Sequence, residues 1–392
     1  MLSERLDDFV TLAREIFGEE FIPLHRPVFG GNETRYLTGC IESNFVSSAG
    51  AKVGAFEQAV AEFVGAKHGI ATVNGTAALH VALMVAGVTR GDEVLSQSLT
   101  FAATCNAISY IGARPVFIDV DRDTLGFSPT ALRRWLETHA RVENGHSYSR
   151  TTGARIAACV PMHTFGLPVH IAELSALCAE FHIPLIEDAA ESLGSRVGDR
   201  QTGTFGAISA FSFNGNKIIT TGGGGMLTTD DDEIARKARH LSTTAKLPHD
   251  YNFVHDMVGY NYRMPNLNAA LGLAQMERLP AMLEIKAELA RRWRAACPAL
   301  GLTWIEAPTG THPNNWLNAV LVRDRAARDA MLEYTNAQGV MTRPVWTPMH
   351  QLAHFADCQT DGLEVTEWLA DRVVNIPSSV PENQFHRLIP TI

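Results

Sequence analysis

Lys217 is the residue of this chain best placed to act as an amine nucleophile or base. It lies in the stretch ISAFSFNGNKIITTGGGGM, Ile208 to Met226. The apolar run Ile208–Phe213 reads as a buried strand, and Asn214-Gly215-Asn216 as a polar turn that delivers Lys217. Gly222 to Gly225 follow, so backbone rather than side chain lines the next bend. A lysine on a strand end, with Ser212 beside it and a glycine-rich turn close by, suits imine chemistry next to a phosphate. Alone, a lysine is most often a solvated surface cation. The case for Lys217 therefore rests on what else the chain supplies.

An anion site is written upstream. The β-branched run Gly69–Val73 breaks at Asn74-Gly75, and Thr76–Ala86 is strongly helical. Gly75 permits close backbone approach, Thr76 adds a hydroxyl, and the first helical N–H groups point at the turn. The same residues also describe a plain strand-to-helix turn with a threonine cap. Asp188, in IEDAA, ends an apolar run and is either the acid partner of a buried cation or a helix N-cap. Phe101 opens a predicted helix, Thr100–Gly112, and is either a flat wall or core. A pyridoxal phosphate (PLP) site needs an imine lysine, an acid for the pyridine nitrogen, a phosphate cradle and a flat wall. Lys217, Asp188, Gly75-Thr76 with Ser212, and Phe101 supply them. Gly215-Asn216-Lys217-Ile218 lacks the Gly-Lys-Ser/Thr of a P-loop, and no convincing G-x-G-x-x-G follows a strand.

The elements that must hold these residues alternate. Strands Glu93–Gln97, Arg114–Val120, Arg155–Val160 and Ile183–Ile186 are separated by helices such as Ser128–His139 and Ile171–Phe181. This pattern predicts an α/β protein with a large, mostly parallel sheet flanked by helices. Ligands in such sheets collect beyond the carboxyl ends of the strands, where His163, Asp188 and Ser212 fall. Residues Arg141–Ala154 read as a polar surface loop. The length of 392 residues divides into an N-terminal helix (1–20), a large domain (21–280) and a smaller α/β C-terminal domain (281–392). A net charge of −9 argues against a nucleic-acid partner, and no stretch approaches a membrane span. The six cysteines form no CxxC pair, so no metal is expected, and reduced thiols point to the cytoplasm.

In order along the chain, VNGTAALHVAL, QSLTFAATCNAISYIGARPVFIDVD, VPMHTFGLP, IEDAAESLG, the Lys217 stretch and VGYNYRMPNLNAALGLAQ resemble the DegT/DnrJ/EryC1/StrS sugar aminotransferases. The resemblance implies the PLP-dependent fold type I, aspartate aminotransferase-like. IPLHRPVFGGNE, SNFVSS and VMTRPVW look most like the LegC-type 4-aminotransferases of legionaminic acid synthesis. It implies Lys217 as the Schiff-base lysine and proton carrier, and Asp188 at the pyridine nitrogen. Ser212, Thr76 and the Gly75–Ala77 backbone would hold the phosphate, and Phe101 would stack on the ring. Asn261 would reach the cofactor of the other subunit, giving a homodimer with shared active sites. His163 would lie near the cofactor, and His163 and Arg343 are candidate substrate contacts. Arg263 and Lys246 are further candidates for substrate anions. Glu191 stands where many relatives carry Gln or His near the cofactor's phenolic oxygen. It must be protonated or face cations there, unless it is an exposed first-turn helix glutamate. The implied reaction carries an amino group from L-glutamate to C4 of a nucleotide-linked 4-keto-6-deoxy sugar. Sugar dehydratases of this kind carry histidine at the lysine position, and Lys217 argues against that alternative. A non-catalytic protein that only binds the phosphate is the other alternative, and it would tolerate loss of Lys217 or Asp188.

Overall fold

The fold is seen in a computed structural model that describes residues 2–388. Met1 and residues 389–392, the outermost residues of the expected terminal units, lie outside the described residues. The central strands are His68–Thr72 (β1), Glu93–Gln97 (β2), Arg114–Ile118 (β3), Arg155–Val160 (β4), Ile186–Asp188 (β5), Ile208–Ser212 (β6) and Gly225–Thr229 (β7). They run in the order β3-β2-β4-β5-β6-β7-β1, with β4 and β5 joined through bridges at Cys159–Leu185 and Met162–Asp188. Every neighbouring pair is parallel except those made by β7, which is antiparallel to both β6 and β1. The strands are almost entirely buried, which is why they read as continuous apolar runs rather than alternating ones.

The sheet is larger than the sequence pattern predicted. β7 follows directly from the glycine run, which hid it, and Gly225 is the first residue of the strand. A Cβ on Gly225 would lie 2.3 Å from the Asn74 carbonyl oxygen, so glycine is what allows β7 to pass the end of β1. The expected loop at 141–154 is in large part a β-hairpin. Ala140–Glu143 pairs with His146–Ser149, which also pairs antiparallel with the start of β4. Asn144 (φ +51°) and Gly145 (φ +75°) both take the left-handed conformation that a two-residue hairpin turn demands.

The helix Leu279–Leu300 begins with Pro280 in its first turn and ends at Gly301, whose φ of +68° closes the last turn. It leads into a four-stranded antiparallel sheet built from Thr303–Trp304, Asn318–Leu321, Val373–Ile376 and Arg343–Pro344. The N-terminal helix Leu2–Phe17 packs here, with Phe9 stacked on Trp293 at 5.2 Å. Thr360–Asp361 reaches back and pairs with β3. Among the described residues, no helix is long and apolar enough to cross a membrane.

Glu187, on β5 with its side chain fully buried, ties the sheet to the loop before β6. Its carboxylate accepts the N–H groups of Gly203 (2.8 Å), Phe205 and Gly206 (2.7 Å) and lies 3.1 Å from His163 Nε2. Burial alone would raise its pKa, but His163 and these N–H groups outweigh it and hold the acid below its ordinary value. Glu187→Ala strands those donors and is expected to destabilise the fold by roughly 3–5 kcal/mol, read by denaturant unfolding. Because the folded pKa is depressed, Glu187's contribution is complete above the unfolded carboxylate pKa. It is lost as pH falls through the folded value. Wild type and variant should therefore converge in stability in acid.

Candidate active site

The carboxyl ends of β1, β4, β5 and β6 converge on a cleft of about 690 Å³. Asn74, Gly75 and Thr76 enter it from the β1 turn, Met162 from the β4 end, Asp188 from β5, and Ser212 and Lys217 from β6 and its turn. Arg343, Trp346 and Asn375 close it from the small sheet and the segment that follows Arg343. A slightly larger groove, about 750 Å³, lies on the other side of Phe165 and Leu317. It shares those two side chains with the cleft but contains none of Gly75, Thr76, Asp188, Ser212, Lys217 and Arg343, so the chemistry belongs to the smaller cleft.

Lys217 Nζ lies 3.1 Å from Glu191 Oε1 and 4.1 Å from the centre of the Trp316 ring. Its side chain is 12% exposed and that of Glu191 only 2%. Glu191 is thus neither exposed nor on a helix. It sits in a tight turn after β5, where its second oxygen accepts the Phe165 N–H at 2.8 Å. Burial raises the pKa of Glu191, while the charge of Lys217 and the Phe165 N–H pull it back, leaving it above the ordinary value. Phe165 delivers that N–H from a left-handed backbone (φ +57°), a conformation that costs a non-glycine residue of order 1–3 kcal/mol.

Asp188 is fully buried and caps no helix. Oδ2 accepts the Thr104 hydroxyl at 2.7 Å and Oδ1 the Ala190 N–H at 3.1 Å. Burial raises its pKa, offset in part by Thr104, Ala190 and Lys217. An acid in this position is poised to hold a cationic ring nitrogen. Phe101 is half exposed, immediately before the helix Ala102–Ile111, and with Trp346 and Phe165 forms an aromatic wall of the cleft.

The helix Gly75–Val85 points its N-terminus into the cleft beside Ser212. Gly75 and Thr76, at its start, have N–H groups without intrahelical acceptors. A Cβ on Gly75 would lie 2.8 Å from Ser212 Cβ and 3.2 Å from its Oγ, so glycine here keeps open the notch that an oxyanion would fill. The expectation for Ala77 needs correction. Its N–H is taken by Asn74 Oδ1 at 2.7 Å, which is the true helix cap, so Ala77 has no free donor for a phosphate. These residues fit PLP: an amine, a buried acid, a notch of free N–H and hydroxyl donors, and an aromatic wall.

The other expected residues divide. Arg343 faces the cleft and is exposed, with Nη1 on Asn336 Oδ1 and the Thr342 carbonyl, both at 3.2 Å. His163 does not line the cleft. It is fully buried, accepts the Val169 N–H on Nδ1 and contacts Glu187 through Nε2, so it braces the strand ends rather than meeting substrate. Arg263 is spent on Glu57 and the Ala71 carbonyl, which removes it as an anion site within this chain. Lys246 lies over Phe253 at 4.2 Å, and Asn261 is exposed and outside the cleft of its own chain.

Sequence reading missed Thr104, Asn314 and Trp316. Thr104 stands three residues after Phe101, so a helical turn from the wall was the available signal. Trp316 and Asn314 lie about a hundred residues downstream of Lys217, and only folding brings them in. The Trp316 indole N–H donates to the Asn216 carbonyl at 2.7 Å, and Asn314 Nδ2 donates to the Glu191 carbonyl at 2.9 Å.

The sheet order and this cleft define the PLP-dependent fold type I class, aspartate aminotransferase-like. The structure matches aminotransferase TlmJ from Streptoalloteichus hindustanus with a TM-score of 0.82 and 28% identity over 91% of this chain and 93% of that one. It also matches DesI, solved in the presence of its TDP-sugar product, with a TM-score of 0.80 and 28% identity over 92% and 88% of the two chains. In sequence, the chain is 33% identical over 360 residues to GDP-perosamine synthase of Vibrio cholerae, covering 91% of this chain and 94% of that protein. The profile of the DegT/DnrJ/EryC1/StrS aminotransferase family spans residues 28–384, and the chain belongs to that family, whose aminotransferases are PLP-dependent.

Gly75→Ala should fill the oxyanion notch. The expected result is cofactor affinity weakened at least about tenfold, a loss of about 1.4 kcal/mol, in equilibrium titration of cofactor-free protein. Unchanged affinity would remove the notch from the phosphate site.

Proposed function

We propose that this chain is a PLP-dependent aminotransferase that moves an amino group from L-glutamate to C4 of a nucleotide-linked 4-keto-6-deoxy sugar. The observation that carries the reading is the placement of Lys217 and Asp188 in one cleft, with the Gly75–Ser212 notch beside them. The names of the relatives, a GDP-perosamine synthase and an enzyme solved with a TDP-sugar product, support the sugar-nucleotide class. The particular substrate we infer is UDP-4-keto-6-deoxy-N-acetylglucosamine, in a legionaminic acid-type pathway, from the LegC-like segments of the sequence.

When bound, PLP supplies an electron sink and a carbonyl able to carry an amino group between two substrates. Lys217 would hold it covalently and then, released as an amine, carry the proton at the reacting carbon. Asp188 would keep the ring nitrogen cationic, favoured by its burial and by the Thr104 hydroxyl that fixes its orientation. Gly75, Thr76 and Ser212 would hold the phosphate, and Phe101 would pack on the ring. Arg343 is the cation that faces the cleft from the small sheet, where it would meet a donor carboxylate or a diphosphate.

The active unit we propose is a homodimer in the cytoplasm. Tyr251, Phe253 and Val258, each about 80% exposed, form an apolar arm on the segment that leads to Asn261. A second copy covering that arm would bring Asn261 to the neighbouring cleft.

Lys217→Ala should still bind cofactor without a covalent link, and its turnover should fall by on the order of 10³-fold or more. Turnover close to wild type would refute the assignment. Substrate is identified by loading the enzyme with the amino group from L-glutamate and back-titrating with UDP-, GDP- and TDP-linked 4-keto sugars.

A further inference from the structure

We propose that Glu191 is the resident proton acceptor of Lys217, so that the pair passes between ammonium–carboxylate and amine–carboxylic acid without exchanging a proton with solvent. The proposal rests on the reading of Lys217 as the cofactor-bearing amine. Three features carry it. Nζ and Oε1 are 3.1 Å apart, within direct transfer distance. Both side chains are removed from water, Glu191 almost completely. Glu191 is also fixed: Phe165 holds its other oxygen from a strained backbone, and Asn314 holds its main-chain carbonyl.

The energetics favour such a transfer. Separated charges lose most of their hydration in this position, which narrows the gap between the ion pair and the neutral pair. The direction found for Glu191, upward through burial, agrees. The step balances within the pair: the proton leaves Nζ for Oε1, the nitrogen regains its lone pair, and both groups become neutral.

The remaining charged and titratable groups around the pair leave it as the nearest donor and acceptor. Asp188 acts on both members through space, but its oxygens are occupied by Thr104 and Ala190. His25 lies close enough to feel Lys217 from the N-terminal segment, and burial together with Lys286 keeps it well below its ordinary pKa. Lys286, on the long helix behind, is buried against the Trp316 and Ser378 carbonyls, with its pKa lowered to about 7 by desolvation. Arg343 faces the cleft from the small sheet.

The test is the rate at which the cofactor-free full chain attaches PLP covalently, followed by absorbance across pH for wild type, Glu191→Gln and Glu191→Asp. In a coupled pair the neutral form is a constant fraction between the pair's two macroscopic titrations. In Glu191→Gln the free amine must instead form by proton loss to water. The ratio of wild-type to Glu191→Gln rates should therefore fall about tenfold per pH unit as pH rises. Taking the ratio cancels the cofactor's own titrations. Glu191→Asp keeps an acid, so its profile should parallel wild type at a lower rate. A pH-independent ratio for Glu191→Gln, or a Glu191→Asp profile that follows Glu191→Gln, overturns the proposal while leaving Lys217 as the attachment point. Absence of covalent attachment in wild type overturns both this proposal and the function it rests on.

Discussion

The buried contact between Lys217 and Glu191 is the constraint on which the site depends. An ammonium with so little exposure needs a partner, and a carboxylate at 2% exposure needs one still more. Each is supplied by a different strand end, Glu191 by the turn after β5 and Lys217 by the turn after β6. Because β5 and β6 are parallel neighbours, their carboxyl ends emerge side by side, and the pair closes across them. The charge below is handled separately. Glu187, one residue before Asp188, faces the opposite way and is satisfied by backbone N–H groups and His163. Alternation along β5 thus sends one acid into the scaffold and the next into the cleft.

The segment around Trp316 joins the two halves of the site. Trp316 is held at its carbonyl by Lys286 and at its amide N–H by Asn314. In turn it fixes the Asn216 carbonyl and lays its ring against Lys217. Asn314 also grips the Glu191 and Leu193 carbonyls. Asn314 leaves no room nearby: a Cβ on Gly166 would lie 1.9 Å from Asn314 Oδ1, so the chain needs glycine after Phe165. The lysine turn, the glutamate turn and the strained Phe165 are therefore braced from one short segment of the C-terminal part.

Much of this was legible in the sequence for a physical reason. Buried parallel strands are apolar runs, and the residues that line the cleft interrupt or follow them at their ends, so Asp188, Ser212, Gly75 and Lys217 stood out against Val, Ile and Phe. Contacts distant in sequence were not legible, because nothing in HPNNW states that its indole meets Lys217. Local chemistry was also misjudged in places. Asn144-Gly145 is a strong hairpin signal, yet the polar residues around it read as loop. Asn74, not Thr76, caps the Gly75–Val85 helix, since an asparagine before glycine reaches the third N–H. Glu191 could also be read as an exposed first-turn helix glutamate, but the turn after Asp188 buries it. His163 sits at a strand end like Asp188, but the neighbouring Glu187 captures it below the cleft floor.

The most direct measurement is borohydride reduction of the cofactor-loaded protein, followed by proteolysis and mass spectrometry of the peptides. The account predicts a single pyridoxyl adduct, carried by the peptide containing Asn216-Lys217-Ile218. An adduct on any other lysine, or none after loading, would contradict the central assignment of Lys217.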